Sequence, residues 1–197
     1  MRRRRLLIAA LLVAAAIPTA RAQDDPGRFV ADLAQRAINE LTAPGVPDAE
    51  RIKRFRVIFI EGFDVPLIAR FVLGRHWRTA TDAQREEYTK LFDEFVAQTY
   101  ARRFAEFPGV QIKVLSVSKP NEDGDQIVSV DGNLPGKAPV RMDLRVRPKD
   151  GKPKIIDVAI EGVSMAITQR DEFGAVIQRG GGDMEALLAN LRAKIAR

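Results

Sequence analysis

Apolar residues recur along the first half of the chain at the three- and four-residue steps of helices. After position 110 they recur at the two-residue step of strands. Phe29, Val30, Leu33, Ala37, Ile38 and Leu41 form one stripe behind Asp25-Pro26, a helix-opening pair, and Pro44-Gly45 and Pro47 break it. Residues 48–62 carry Ile52, Phe55, Val57, Ile58, Phe59 and Ile60, which spread over most of a helical wheel, so this helix must be covered on several sides. Asp64 caps a short helix through Leu67, Ile68, Phe71 and Val72 that Gly74 closes. Thr81 and Gln84 fit a capping box. It opens a long helix through Tyr88, Leu91, Phe92, Phe95, Val96, Thr99, Tyr100 and Phe104, stopped by Pro108-Gly109, and long enough to back a sheet.

Four strands follow. Val110, Ile112 and Val114 alternate, Asp123-Gly124 signals a hairpin, and Val128 and Val130 alternate again. Val140, Met142, Leu144 and Val146 face one way while Arg141, Asp143, Arg145 and Arg147 face the other. Ile156, Val158 and Ile160 fall on even numbers, but Val163, Met165 and Ile167 on odd ones, and that phase slip at Gly162 predicts a β-bulge inside one strand. Phe173, Val176 and Ile177 mark a short helix, and Asp183 caps a last one through Met184, Leu187, Leu188, Leu191 and Ile195. The expected fold is α+β: a curved four-stranded antiparallel meander packed on one face by helices from both ends of the chain.

The 197-residue length suits one domain beyond an export leader. Arg2, Arg3, Arg4 and Arg5 form a positive start, residues 6–17 an apolar run, and Ala20-Arg21-Ala22 a cleavage site, so residues 1–22 read as a signal peptide and 23–197 as the mature domain. The run is shorter than the roughly 20 apolar residues of a spanning helix, and the expected location is the periplasm. The leader also changes the charge picture. Five of the 32 basic residues lie in it and no acid does, so 27 bases face 26 acids in the mature chain, and a basic nucleic-acid binder loses its support.

Zero cysteines exclude disulfides and thiolate metal sites, and a single histidine disfavours His-built metal centres and Ser-His-Asp triads. Gly180-Gly181-Gly182 lacks the Lys-Ser/Thr of a phosphate loop. His76, Asp157 and Glu161 are the residues a small enzyme would use as base, with no partner cluster visible beside His76. Glu86-Glu87 and Asp93-Glu94 read as a solvated helix face. Arg141, Arg145 and Arg147, and Arg51, Lys53, Arg54 and Arg56, are either the polar sides of half-buried elements or contacts for a phosphate headgroup or acidic partner. The apolar inventory fits a closed core or an open lipophilic pocket, and the pattern leaves both standing.

Phe63-Asp64, then Ile68-Ala69-Arg70-Phe71-Val72-Leu73-Gly74 and Trp77, resemble the MlaC family of periplasmic phospholipid-binding proteins, also called the toluene-tolerance auxiliary family. The likeness continues through residues 79–85, Phe92, Phe95, Thr99-Tyr100 and Val140-Arg141-Met142-Asp143. It is most specific at Asp157 and Glu161-Gly162-Val163-Ser164-Met165, and it closes with Phe173 and a Gly-Asp-x-x-x-Leu-Leu stretch, spanning roughly 29–195. The resemblance implies a non-enzymatic carrier without cofactor. Its cargo is phospholipid, moved between an outer-membrane lipoprotein–porin complex and an inner-membrane ABC transporter bearing an MCE-domain protein, which maintains outer-membrane lipid asymmetry. It implies that sheet and helices enclose an apolar cavity holding the acyl tails, with the headgroup towards solvent, lined by Val163, Met165, Met142, Leu144, Val158 and Ile160, with Phe63, Val72 and Leu73 from the helical side. Three other readings stand beside it: a hopanoid or isoprenoid cargo, a small periplasmic enzyme, and an adaptor that only bridges transporter proteins.

Overall fold

A computed structural model describes residues 25–104 and 106–196; the expected leader lies outside them. Asp25 accepts from the Gly27 and Arg28 amides and opens α1 (Pro26–Leu41). Helices α2 (Asp48–Gly62), α3 (Val65–Leu73), the single turn α4 (His76–Thr79) and α5 (Asp82–Phe104) follow. The capping box forms as expected: Thr81 Oγ1 accepts from the Gln84 amide at 3.2 Å and Gln84 Oε1 from the Thr81 amide at 3.0 Å.

Strands β1 (Gln111–Val117), β2 (Gln126–Asn133), β3 (Val140–Lys149) and β4 (Lys152–Ile160) pair antiparallel in chain order, and a two-residue strand β5 (Val163–Ser164) extends the meander. Helices α6 (Met165–Arg179) and α7 (Met184–Ile195) complete the described fold. The α+β architecture, with an open, curved antiparallel sheet packed by helices, is the one the sequence predicts, enlarged by β5.

The phase slip at Gly162 has a different cause from the one expected. Glu161 (φ 49°) and Gly162 (φ 80°) form a two-residue turn that sets Ile160 directly opposite Val163. Residues three apart across such a turn share a face, which converts an even series into an odd one. The bulges lie elsewhere. Leu115 is the extra residue in β1, and Ile156 is the extra residue in β4. Ile155 therefore takes the buried place. Beyond β5 the chain turns helical at once. Ser164 accepts from the Ile167 amide at 3.1 Å, so the alternation through Met165 and Ile167 belongs to the first turn of α6.

Two apolar layers result. Tyr88, Phe92, Phe173, Leu187, Leu188 and Leu191 centre a helical cluster. In it α5 is flanked by α2 and α7 and does not back the sheet, because both its sides are already taken by helices. The sheet is covered by α1, through Val30, Phe29 and Leu33, and by the α2–α3 junction and α6. Gly27 allows the close approach of α1: a Cβ there would stand 2.9 Å from Val117 Cγ2. Phe63 packs against both layers.

Candidate functional site

Cross-strand pairing collects the apolar side chains of the sheet into two rows. One runs Val114, Val130, Met142, Ile160, Val163, and the other Val117, Val128, Leu144, Val158. Directly paired residues point to the same face, so both rows belong to the helix-covered side. Cover fails along the rows. Val130 is 1% exposed beneath α1, whereas Ile160 is 38% and Val163 57% exposed at the β4–β5 end; Val117, at the β1 end of the second row, is 39% exposed. Met142, Leu144 and Val158 lie between these extremes and are half-buried. Ile167, one helical turn beyond Val163, is exposed as well. Ile160 and Val163, paired directly across β4 and β5, are bare apolar neighbours, and exposed apolar surface of this kind marks an interaction site.

Five of the expected lining residues, Met142, Leu144, Val158, Ile160 and Val163, are thus neighbours. Phe63 lies at the border of their layer, where the Asp64 amide donates to the Ile155 carbonyl at 3.0 Å. Asp64 also caps α3 through the Leu67 amide and pairs with Lys149 of β3 at 2.8 Å, so the Phe-Asp motif pins the α2–α3 junction onto β3 and β4. Val72 and Leu73 lie instead inside the helical cluster, 1% and 2% exposed. Met165 opens onto a cavity of about 380 Å³ between α5, α6 and α7. A second cavity, about 450 Å³, lies beside the β3–β4 turn between Ile60, Pro66, Lys152 and Lys154. The five neighbouring sheet residues line neither; their free surface is the uncovered end of the sheet face.

The candidate bases are each engaged separately. Asp157 Oδ2 accepts from the Ser164 hydroxyl at 2.6 Å, and its Oδ1 accepts from the Val158 and Ala166 amides. Every one of these bonds holds the β4–β5–α6 corner. Glu161 Oε1 accepts from the Arg141 amide at 2.6 Å. His76 lies on the single-turn helix α4, and burial, followed by the neighbouring Arg75 charge, lowers its pKa below the ordinary histidine value. Among the described residues no cluster of His, Cys, Asp and Glu suits a metal ion.

Most of the arginines are structural. Arg145 and Arg147 converge on Asp125, whose carboxylate is buried and whose pKa their hydrogen bonds and charges hold below the usual range. Arg141 pairs with Asp131. Arg51 is buried and donates to the Leu41 and Val46 carbonyls, tying α2 to the end of α1. Arg56 pairs with Asp93 and Glu94 across α2 and α5, so those two acids are an interhelical clasp instead of a solvated face. Two cations the sequence does not single out, Arg103 on α5 and Lys194 on α7, line the 380 Å³ cavity. They stand far apart in the chain, and no spacing rule joins them.

A family model described as MlaC protein matches residues 31–193. The fold is similar to that of a phospholipid-binding protein from Ralstonia solanacearum, solved in complex with a phospholipid. The TM-score is 0.78 at 22% sequence identity, over 87% of this chain and 97% of that one.

Proposed function

This chain belongs to the MlaC family, and from that premise we propose that it is a phospholipid carrier of the periplasm. A leader in residues 1–22 is removed on export, and the mature chain holds the acyl tails of its cargo against the bare end of the sheet. Met142, Leu144, Val158, Ile160 and Val163 form the contact surface, with Met165 and Phe63 at its margins and Val72 and Leu73 supporting it from the helical core. The route runs between an outer-membrane lipoprotein–porin complex and an inner-membrane ABC transporter with an MCE-domain subunit, in the service of outer-membrane lipid asymmetry.

The observation that carries this reading is the loss of cover along the Val130–Met142–Ile160–Val163 row. A carrier must present apolar surface to a tail and also let it go, and a partly covered sheet face does both. The need is energetic. Two sixteen-carbon tails hold about 28 methylenes, and at ~0.8 kcal/mol each their exposure to water costs on the order of 20 kcal/mol. The similar phospholipid-binding protein from Ralstonia solanacearum supports the same cargo class. The chemistry needs no catalytic group, in keeping with the separate structural engagement of Asp157 and Glu161.

Native mass spectrometry of the exported chain, followed by solvent extraction, tests the proposal. The expected result is a bound species with the mass and fragmentation of a diacyl phospholipid. A rigid triterpenoid in its place replaces the cargo assignment with a hopanoid, and an empty protein removes the carrier reading.

A further inference from the structure

We propose that the cavity between α5, α6 and α7 is a phosphate site for an acylated ligand, with Arg103 and Lys194 as its cationic wall; the assignment rests on the carrier reading above. The cavity has a mixed lining: Phe95, Met165 and Ile195, one from each helix, are apolar, and Gln98, Thr99, Tyr100, Thr168 and Gln169 supply hydrogen-bonding groups. Each cation is steered by an aromatic ring of the same wall. The Arg103 guanidinium lies 5.7 Å from the Tyr100 ring centre and the Lys194 ammonium 5.2 Å from that of Phe95. Neither head forms an ion pair with a carboxylate among the described residues, in contrast to Arg56, Arg141, Arg145, Arg147 and Arg192.

Glu172 also faces the cavity, but the Gln169 amide donates to it at 3.1 Å, and two cations against one acid leave a net positive site. Burial raises the Tyr100 pKa, so its hydroxyl stays a donor at neutral pH. Positioned cations and neutral donors around a concave, partly apolar space are the groups that bind a phosphate diester. Its volume of about 380 Å³ falls near the lower end of the roughly 300–1,000 Å³ of small-molecule sites, too small for two whole tails and suited to a headgroup with its first carbons. Met165 lines the cavity and stands two residues after Val163, the end of the bare apolar row, so this is the side of the cavity nearest along the chain to the proposed tail surface.

The test uses the exported chain, stripped of lipid, with three probes: phosphatidylglycerol vesicles, vesicles carrying diacylglycerol with the same tails, and inorganic phosphate alone. The wild-type chain is expected to take up phosphatidylglycerol at least tenfold better than diacylglycerol and to bind inorganic phosphate far more weakly than the lipid. The double variant R103Q/K194Q should lose about tenfold for phosphatidylglycerol and nothing for diacylglycerol, with an unchanged thermal midpoint, and R103K on the wild-type background should retain most of the affinity. An R103Q/K194Q protein that takes up both lipids like wild type overturns the phosphate site while leaving the carrier standing. Equal loss of both lipids overturns it as well. Inorganic phosphate binding as tightly as the lipid makes this a free-phosphate site and overturns the lipid assignment. Uptake of neither lipid by the wild-type chain removes the carrier reading itself.

Discussion

Val163 and Asp125 show how differently single residues serve this molecule. Val163 is more than half exposed, so its contacts contribute little to folding, and Val163→Asp should melt within about 2 °C of wild type when both are stripped of lipid. On the proposed function a carboxylate at this position would be pressed against acyl chains, where an unpaired charge costs several kcal/mol and each ~1.4 kcal/mol is a factor of ten. Lipid recovered per protein should therefore fall at least tenfold, measured by extraction and mass spectrometry. Full lipid loading in this variant would remove Val163 from the contact surface. Asp125 has the opposite profile: it is buried and holds two arginines. Its pKa is lowered in the folded state, so its stabilising effect is present above the unfolded value near ~3.9 and lost as pH falls through the folded value. Asp125→Asn should cost about 1–3 kcal/mol in urea unfolding at pH 7. The gap from wild type should close as the pH drops below about 4, and a gap that persists at pH 2 would assign the effect to packing.

At the scale of elements, the β4–β5–α6 corner joins the sheet to the helical layer, and Ser164 is its hinge pin. The hydroxyl both caps α6 and donates to Asp157. Ser164→Ala should therefore cost about 1–2 kcal/mol, with Ser164→Thr retaining most of the stability; chemical unfolding midpoints decide it. The same corner shows what is legible from sequence. Helices α1, α3, α5 and α7, each with a cap and a stripe, could be read in advance because their signals are local. The slip at Gly162 is local too, yet a bulge and a tight hairpin give the same change of parity, and only pairing separates them. The strand-like alternation of Val163, Met165 and Ile167 hid a helix start whose one sign was a serine three residues ahead of Ile167. The rows of the sheet face were visible as alternation, but their graded cover depends on where α1 stops. The Arg103–Lys194 wall had no sequence signal, since it arises from the packing of α5 against α7.

For the whole molecule, the decisive property is a native state with apolar surface left bare at one end of its sheet. Val163, Ile167 and Ile160 face water when no cargo is present, and a ligand that covers them binds the folded chain and not the unfolded one. Mass action then couples loading to stability as RT ln(1 + [L]/Kd), about 2.7 kcal/mol at a hundredfold excess over Kd. In a chain of this size a kcal/mol shifts the thermal midpoint by roughly 2–4 °C. On the proposed function the protein should consequently melt about 5–10 °C higher as isolated than after delipidation, and incubation with phospholipid vesicles should restore the difference. The delipidated form should also bind a fluorescent apolar dye that the loaded form excludes. Val163→Asp provides the control: as isolated it should already melt like delipidated wild type, and vesicles should not raise its midpoint. A wild-type chain whose midpoint and dye binding ignore both extraction and reloading has no cargo-sized surface to cover. The bare rows would then be a docking face for another protein.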